Sequence, residues 1–132
     1  RSQVMSCIRS GGNKETELRL IKIFKAAGIK GWRRKQPLLG KPDLVFRRER
    51  VVVFVDGCFW HACPRCYRRP VSNQTYWDAK ARRNQNRDRL VTRMLRKDGW
   101  HVLRIWDHQL KNEKRVALTV TRALAKAIQH PL

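Results

Sequence analysis

The amino-acid sequence predicts one α/β domain in which helices flank a mixed central β-sheet. Its 132 residues are enough for a single domain with its own core. Hydrophobic residues make up 42% of the chain and include five tryptophans, which is too apolar for a disordered basic tail. Short β-branched runs alternate with segments of helical periodicity, and this pattern predicts the order α-β-β-β-α-β-α.

The first helix is predicted to begin after Asn13, a favourable N-cap residue, and to continue to about Ala27, where Gly28 ends it. The preceding segment, residues 1–12, is basic and contains a Gly-Gly break. We therefore expect a flexible N-terminal arm followed by a domain at 13–132. The chain begins with Arg rather than Met, which leaves open an upstream segment or fused domain.

Two short apolar runs, "DLVF" and "VVVFVD", flank the charged turn "RRER" and predict a β-hairpin. The second run is apolar on both faces, which is typical of a central buried strand. The other predicted elements are a short edge strand at 32–35, a long helix at 75–97, a strand in "WHVLRIW" and an amphipathic helix at 114–129.

The charge of the chain predicts a polyanionic partner. Thirty-one Lys and Arg against ten Asp and Glu give a net charge of +21 and a pI near 11.3. A folded domain this basic favours nucleic acid, and an anionic membrane surface is the weaker alternative. No apolar run is long enough to span a bilayer, and there is no signal-peptide pattern, so we expect a cytoplasmic, nucleoid-associated protein of prokaryotic type.

Polar residues interrupt the core-facing stripes of two helices. In the first helix Glu17 lies on the same line as Phe24, and in the long helix Asp88 and Asn84 continue the line of Leu95. A carboxylate that faces inward is costly unless it is paired or binds a metal. For Glu17 a simple helix N-terminal acid is an equally good interpretation, and Asp88 also suits an i,i+4 partner of a nearby arginine.

The cysteines predict a zinc site. Four cysteines would allow two disulfides, but three of them lie within nine residues and beside histidines, which favours metal. These three have the spacing C-x4-C-x2-C: Cys58, Cys63 and Cys66. A structural zinc needs four ligands, and the candidates for the fourth are His61, His108 and Cys7. We favour His108 because it follows the end of a strand predicted to lie next to "VVVFVD".

Two strand-end acids resemble the metal site of a nuclease. Asp43 follows Pro42 directly before a strand, and Asp56 ends the next strand. Nucleases hold Mg²⁺ between such carboxylates to activate water, although a lone Pro-Asp is more often a turn. The lysine that usually follows the second acid is missing from "DGC", and His61 is the nearest replacement as a base.

Three segments together resemble the very short patch repair (Vsr-type) endonucleases: "GKPDLVF", "VFVDGCFWHACPRC" and "YWDAKARRNQNRDRLVTRMLRKDGWHVLRIWDH". The resemblance runs from about Arg1 to His108, and "GCFWH" is its most specific part. It implies a single-domain variant of the PD-(D/E)xK nuclease fold with a structural zinc site. The implied activity is a nick on the 5′ side of the thymine in a T:G mismatch.

The resemblance also implies roles for individual residues. Asp43 and the backbone carbonyl of Val55 match the Mg²⁺ contacts. His61 matches the catalytic histidine, Asp88 the acid that orients it, and Glu17 a first-helix glutamate near the active site.

The DNA-binding residues follow from the same alignment. Phe59 and Trp60 match aromatic residues that wedge into DNA beside the mismatch, and Met5 is the equivalent residue of the N-terminal arm. Asn84 matches a polar residue that reads the mismatched base pair, and Lys80 is also predicted to bind DNA.

The implied zinc ligands agree with the choice made from cysteine spacing and strand position: Cys58, Cys63, Cys66 and His108. Asp56 stands where relatives often have a second histidine, so it is a candidate catalytic acid or an additional metal contact.

We expect a monomer that acts on double-stranded, mismatched DNA. Two alternatives are a nuclease of the same fold with another DNA substrate, linked to a mobile element or restriction system, and a non-catalytic zinc-stabilised DNA-binding module. The module does not explain why the acids and His61 occur together.

Overall fold

The structure is a computed structural model that describes residues 12–57 and 70–129. Its elements follow the predicted order α-β-β-β-α-β-α, with one additional 3₁₀ helix at Asp107–Lys111. The helices are α1 (Gly12–Ala26), α2 (Gln74–Lys97) and α3 (Glu113–Gln129), and the strands are β1 (Trp32–Arg34), β2 (Leu44–Phe46), β3 (Val51–Asp56) and β4 (His101–Trp106). The described part of the chain is therefore a mixed α/β structure, as predicted.

The four strands form one mixed sheet in the order β1-β2-β3-β4. The first two pairs are antiparallel, and the predicted hairpin joins β2 to β3 with Val45 opposite Val52. In contrast β3 and β4 are parallel, since α2 lies between them in the chain and returns it to the same end of the sheet. As a consequence the carboxyl ends of these two strands lie side by side, with Asp56 opposite Trp106.

The core lies on both faces of the sheet. All six residues of β3 are buried, which confirms that it is a central strand. Val51, Val53 and Val55 pack with α1 and α3 on one face, whereas Val52 and Phe54 pack with α2 on the other. This alternation follows from the period of two along a strand. The rigid sheet therefore supports both helical layers, and polar residues at the end of β3 are held in place by the buried strand.

The ends of α1 show one wrong prediction and one correct one. The helix begins at Gly12, so Asn13 lies inside the first turn and is not the N-cap. Gly28 follows the helix with a φ of +72°, a left-handed conformation that costs glycine little and that ends a helix. In the part of the chain that the structure describes, no helix has both the length and the apolar character needed to cross a membrane.

Candidate active site

A cleft of about 750 Å³ lies at the carboxyl end of β3, between α1, the loop before β2, and α2. Four carboxylates from these separate elements line it: Glu17, Asp43, Asp56 and Asp88. Four cationic side chains line it as well: Lys35, Lys41, Arg87 and Arg104. The structure thus brings together the four acids that the sequence singled out, in what we call the acidic cleft.

The backbone around Asp43 places its carboxylate in the acidic cleft. The Asp43 amide donates to the Val53 carbonyl at 2.9 Å and so extends the β2–β3 hairpin by one bond. The Asp43 carboxylate in turn accepts a hydrogen bond from the Val55 amide, with an N–Oδ2 distance of 2.7 Å. Asp43 and the Val55 backbone, which the resemblance pairs, are therefore direct neighbours.

The loop before Asp43 lies against α2. Gly40 has a φ of +77°, and a Cβ atom built on it would lie 2.5 Å from Cγ1 of Val91. Only a residue without a side chain allows this approach. Lys35 and Lys41 also have left-handed backbones, with φ of 51° and 52°. Such conformations are uncommon outside glycine and often occur at functional sites.

The acidic cleft disfavours the negative charge of Asp43. Burial, with smaller contributions from the charges of Glu17 and Asp56, raises the pKa of Asp43 from 3.8 to about 6, and the hydrogen bond from Val55 opposes this shift. Within the described residues, no Lys or Arg forms an ion pair with Asp43. A carboxylate in this situation gains stability when a cation binds to it.

Glu17 is held by an arginine of β1. The Arg34 Nε atom donates to Glu17 Oε2 at 2.6 Å, and the Glu17 side chain is only 14% exposed. Its helix places it on the same side as Leu20 and Phe24, which are fully buried. The prediction that Glu17 faces inward is confirmed, and the ion pair compensates part of its burial.

Arg104, which is not among the predicted site residues, contacts the other two acids. Its Nη1 atom donates to both carboxylate oxygens of Asp56, at 2.9 and 3.2 Å, and lies 3.9 Å from Asp88 Oδ1. Its Nη2 donates to the Asp88 carbonyl at 3.3 Å, its Nε donates to Thr92 Oγ1 at 2.9 Å, and its guanidinium lies 4.2 Å from the centre of the Phe54 ring. The signal that identifies it in the sequence is an arginine inside the apolar strand "WHVLRIW".

Two predicted DNA-binding residues lie on α2 outside the acidic cleft. Lys80 and Asn84 precede Asp88 by two helical turns and one turn, and each is partly buried. Asn84 Oδ1 accepts a hydrogen bond from Arg87 at 3.5 Å. These three positions therefore follow one line of the helix that leads to the cleft.

Of the remaining predicted site residues, the structure describes one, His108. His108 lies in the 3₁₀ helix directly after β4. The others lie outside the described residues: Met5, Cys7, Cys58, Phe59, Trp60, His61, Cys63 and Cys66. Among residues 12–57 and 70–129, no group of three or more His, Cys, Asp or Glu residues is arranged to hold a metal ion. The zinc and magnesium sites both stay predictions.

Comparison with known proteins identifies the family. A family model described as DNA mismatch endonuclease Vsr matches residues 1–68. The type II nicking enzyme V.NaeI of Lentzea aerocolonigenes is 44% identical over 117 residues, which cover 83% of this chain and 68% of the relative. The type II nicking enzyme V.HpaIIP of Haemophilus parainfluenzae is 34% identical over 128 residues, or 92% and 91% of the two chains.

A third relative, the DNA mismatch endonuclease Vsr of Escherichia coli strain K12, is 32% identical over 102 residues, which cover 76% of this chain and 65% of the relative. With an acid-lined cleft on a mixed α/β fold and relatives named for cutting DNA, the protein is a DNA endonuclease, as predicted. The chain belongs to the DNA mismatch endonuclease Vsr family.

Proposed function

We propose that this protein is a Mg²⁺-dependent endonuclease that nicks one strand of double-stranded DNA at T:G mismatches, on the 5′ side of the mispaired T. The observation that carries the proposal is the acidic cleft. It places Asp43, with a pKa raised to about 6 by burial, next to the backbone of β3, which is held in place by the buried sheet. The mismatch substrate is supported by the relative from E. coli that is named a DNA mismatch endonuclease.

The residues of the acidic cleft fit a magnesium ion. Carboxylate and carbonyl oxygens are the ligands that Mg²⁺ prefers, and Asp43 has no cationic partner among the described residues. We assign the ion to Asp43 and the Val55 carbonyl. When bound, Mg²⁺ supplies activation of water and shielding of the phosphate charge.

The protein's own groups position the DNA and move the proton. His61 is proposed as the base that takes a proton from the attacking water, and Asp88 as the acid that orients its ring. Lys41 and Arg87, which line the acidic cleft, suit the phosphates on either side of the cut. The α2 sequence adds to this field, because it contains eight basic residues and two aspartates, a net charge of +6.

Selection of a mismatch is assigned to an aromatic wedge. Phe59 and Trp60, with Met5 from the arm, would insert between base pairs, and unstacking costs about a few kcal/mol, least where the pair is mismatched. Asn84 and Lys80 are proposed to contact the DNA from α2, since they lie along the line that leads to the cleft.

The zinc site is proposed on four residues: Cys58, Cys63, Cys66 and His108. The strand register supports His108, because Asp56 pairs with Trp106 and both Cys58 and His108 follow these paired residues by two positions. Metal analysis of purified His108→Ala should show reduced zinc content. Zinc content equal to the wild type would exclude His108 and leave Cys7 or His61 as the fourth ligand.

A second DNA substrate is the competing function. Five relatives are named type II nicking enzymes, which favours a nuclease linked to a restriction system. The deciding experiment incubates the protein and Mg²⁺ with end-labelled duplexes that differ only in one base pair: T:G, other mismatches, and matched. We expect nicking of the T:G duplex alone, and equal cutting of matched DNA would exclude the mismatch substrate.

The same assay tests the metal assignment. Asp43→Ala should abolish nicking and leave binding to the T:G duplex intact, since the side chain acts on the metal rather than on the DNA. Cutting by Asp43→Ala at the wild-type rate would show that the metal assignment is wrong. We further propose that the active species is a monomer, because a nick needs one active site.

A further inference from the structure

A partly buried arginine connects two acids of the acidic cleft that come from different elements. Asp56 ends β3, Asp88 lies on α2, and Arg104 of β4 contacts both. We infer that Arg104 is a positioning residue for the nicking reaction, and that Asp56 is its fixed partner rather than a proton donor or a metal ligand. The inference rests on the proposed function, since it assigns a role in that reaction.

The surroundings of Arg104 fix its guanidinium in one orientation. It pairs with Phe54 in the β3–β4 register and lies 4.2 Å from the centre of that ring. Three of its nitrogen atoms then donate in three directions, to Thr92 Oγ1, to Asp56 and to the Asp88 carbonyl. A planar guanidinium with several donors can do this, whereas the single ammonium of a lysine cannot hold all of these partners at once.

The contacts with α2 make the position of Asp88 depend on Arg104. The bond from Nη2 to the Asp88 carbonyl, at 3.3 Å, holds this turn of the helix against β4. The Asp88 carboxylate lies 3.9 Å from Nη1 of the same arginine. Since Asp88 is proposed to orient His61, a shift of this turn would misplace the base, and an active site tolerates only small displacements.

The contacts of Asp56 distinguish it from Asp43. Both of its oxygens accept from Arg104 Nη1, and its side chain is only 9% exposed. Asp43 accepts a hydrogen bond from the Val55 amide, and the structure pairs it with no cation among the described residues. Asp56 is thus committed to the arginine, while Asp43 is left available to a metal.

Burial of an ion pair contributes little net stability, because desolvation offsets the attraction between the charges. An apolar pair at 56 and 104 would therefore stabilise the fold about as well. Because this network lies at the end of the sheet where the acidic cleft is, we infer that it positions the catalytic groups. Nicking rates can distinguish this role from a contribution to folding stability.

The test is a double-mutant cycle measured on the T:G duplex with Mg²⁺. Arg104→Met keeps the packing stem and removes the donors, and Asp56→Asn keeps the shape and removes the charge. Each should lower the nicking rate at saturating DNA by about 10- to 100-fold, with the Kd for the duplex changed less than about threefold. The double variant should be no slower than the slower single variant, because the two residues act as one unit.

Arg50 offers a matched control. Its guanidinium lies 4.7 Å from the Trp100 ring and donates to the carbonyls of Gly99 and Asp98, outside the acidic cleft. Arg50 is exposed, so Arg50→Met should reduce the midpoint of urea unfolding less than Arg104→Met does, and it should leave the nicking rate unchanged. An equal loss of rate in Arg50→Met would show that the effect of Arg104→Met is only structural and would overturn the inference.

A milder variant covers the possibility that Arg104→Met does not fold. Thr92→Val removes one hydrogen bond to Arg104 and conserves volume, so the rate should fall by about 2- to 10-fold at near wild-type stability. A wild-type rate in Arg104→Met or Thr92→Val, or rate losses of Asp56→Asn and Arg104→Met that multiply, would overturn the inference and leave the proposed function standing. A wild-type protein that nicks no duplex in the panel would overturn both.

Discussion

Replacing Asp43 by Asn should make the protein more stable and inactive at the same time. Burial, opposed by the Val55 hydrogen bond and reinforced by the charges of Glu17 and Asp56, raises the pKa of Asp43 from 3.8 to about 6. Asn removes the charge, and its side-chain oxygen still accepts from the Val55 amide. The substitution therefore removes the cost of ionising a buried acid and keeps the local hydrogen bond.

The pKa of Asp43 sets the magnitude and the pH range of this effect. A group whose pKa is higher in the folded protein stabilises it at low pH, and that contribution is lost as the pH rises through 3.8 to about 6. At about 1.4 kcal/mol for each pKa unit, the loss is about 3 kcal/mol when Asp43 is fully ionised. The amide side chain of the variant does not titrate, so the stability advantage of Asp43→Asn should grow across this range and become constant above about pH 7.

Urea unfolding of both proteins between pH 4.5 and 8, without added divalent metal, measures this difference. Added Mg²⁺ should then stabilise the wild type and leave Asp43→Asn unchanged, because a ligand stabilises the state that binds it. A variant that is less stable than the wild type at pH 7.5, or a difference that does not vary with pH, would refute the assignment of Asp43 as a strained cation ligand.

Two further predictions concern the loop before β2 and the charge of α2. Gly40→Ala should lower the free energy of unfolding by about 2–4 kcal/mol, since it combines a left-handed backbone with a 2.5 Å contact to Val91. In the control Gly28→Ala the new Cβ has nothing within 4 Å, so the loss should be about 1 kcal/mol. Similar losses for the two variants in urea unfolding would contradict the packing role of Gly40. Arg87→Gln should weaken DNA binding and reduce the slope of log K against log salt by about one, while Arg122→Gln on α3 should leave the slope unchanged. Fluorescence anisotropy across salt concentrations measures both slopes. Equal slopes for the two variants would show that Arg87 does not contact a DNA phosphate.

Most of the secondary structure could be predicted from sequence because it depends on local patterns. The apolar run "VVVFVD" and the helical line from Glu17 to Phe24 both appear in the structure as expected. The N-cap at Asn13 was wrong because helix ends depend on the preceding backbone as much as on residue type. The inward orientation of Glu17 and Asp88 could also be predicted, since helical spacing determines the face of the helix on which a residue lies.

The partners of these acids could not be predicted, because they depend on long-range register. Arg104 meets Asp56 only because β3 and β4 are parallel and paired so that Phe54 lies opposite Arg104. A shift of one residue would turn Arg104 to the other face of the sheet. The sequence indicated an unusual charge in an apolar strand, and the tertiary structure determines which charge it meets.

The acidic cleft shows how a fold can hold several carboxylates and leave one of them available. Arginines contact three of the four: Arg34 contacts Glu17, and Arg104 contacts Asp56 and Asp88. Asp43 receives a backbone amide instead, and burial raises its pKa to about 6. If an arginine also paired with Asp43, the apo protein would gain stability, but a divalent cation would have to displace that arginine. The unfavourable ionisation of Asp43 therefore favours the magnesium ion that we propose at this position, and the arginine contacts of the other three acids would direct that ion to Asp43.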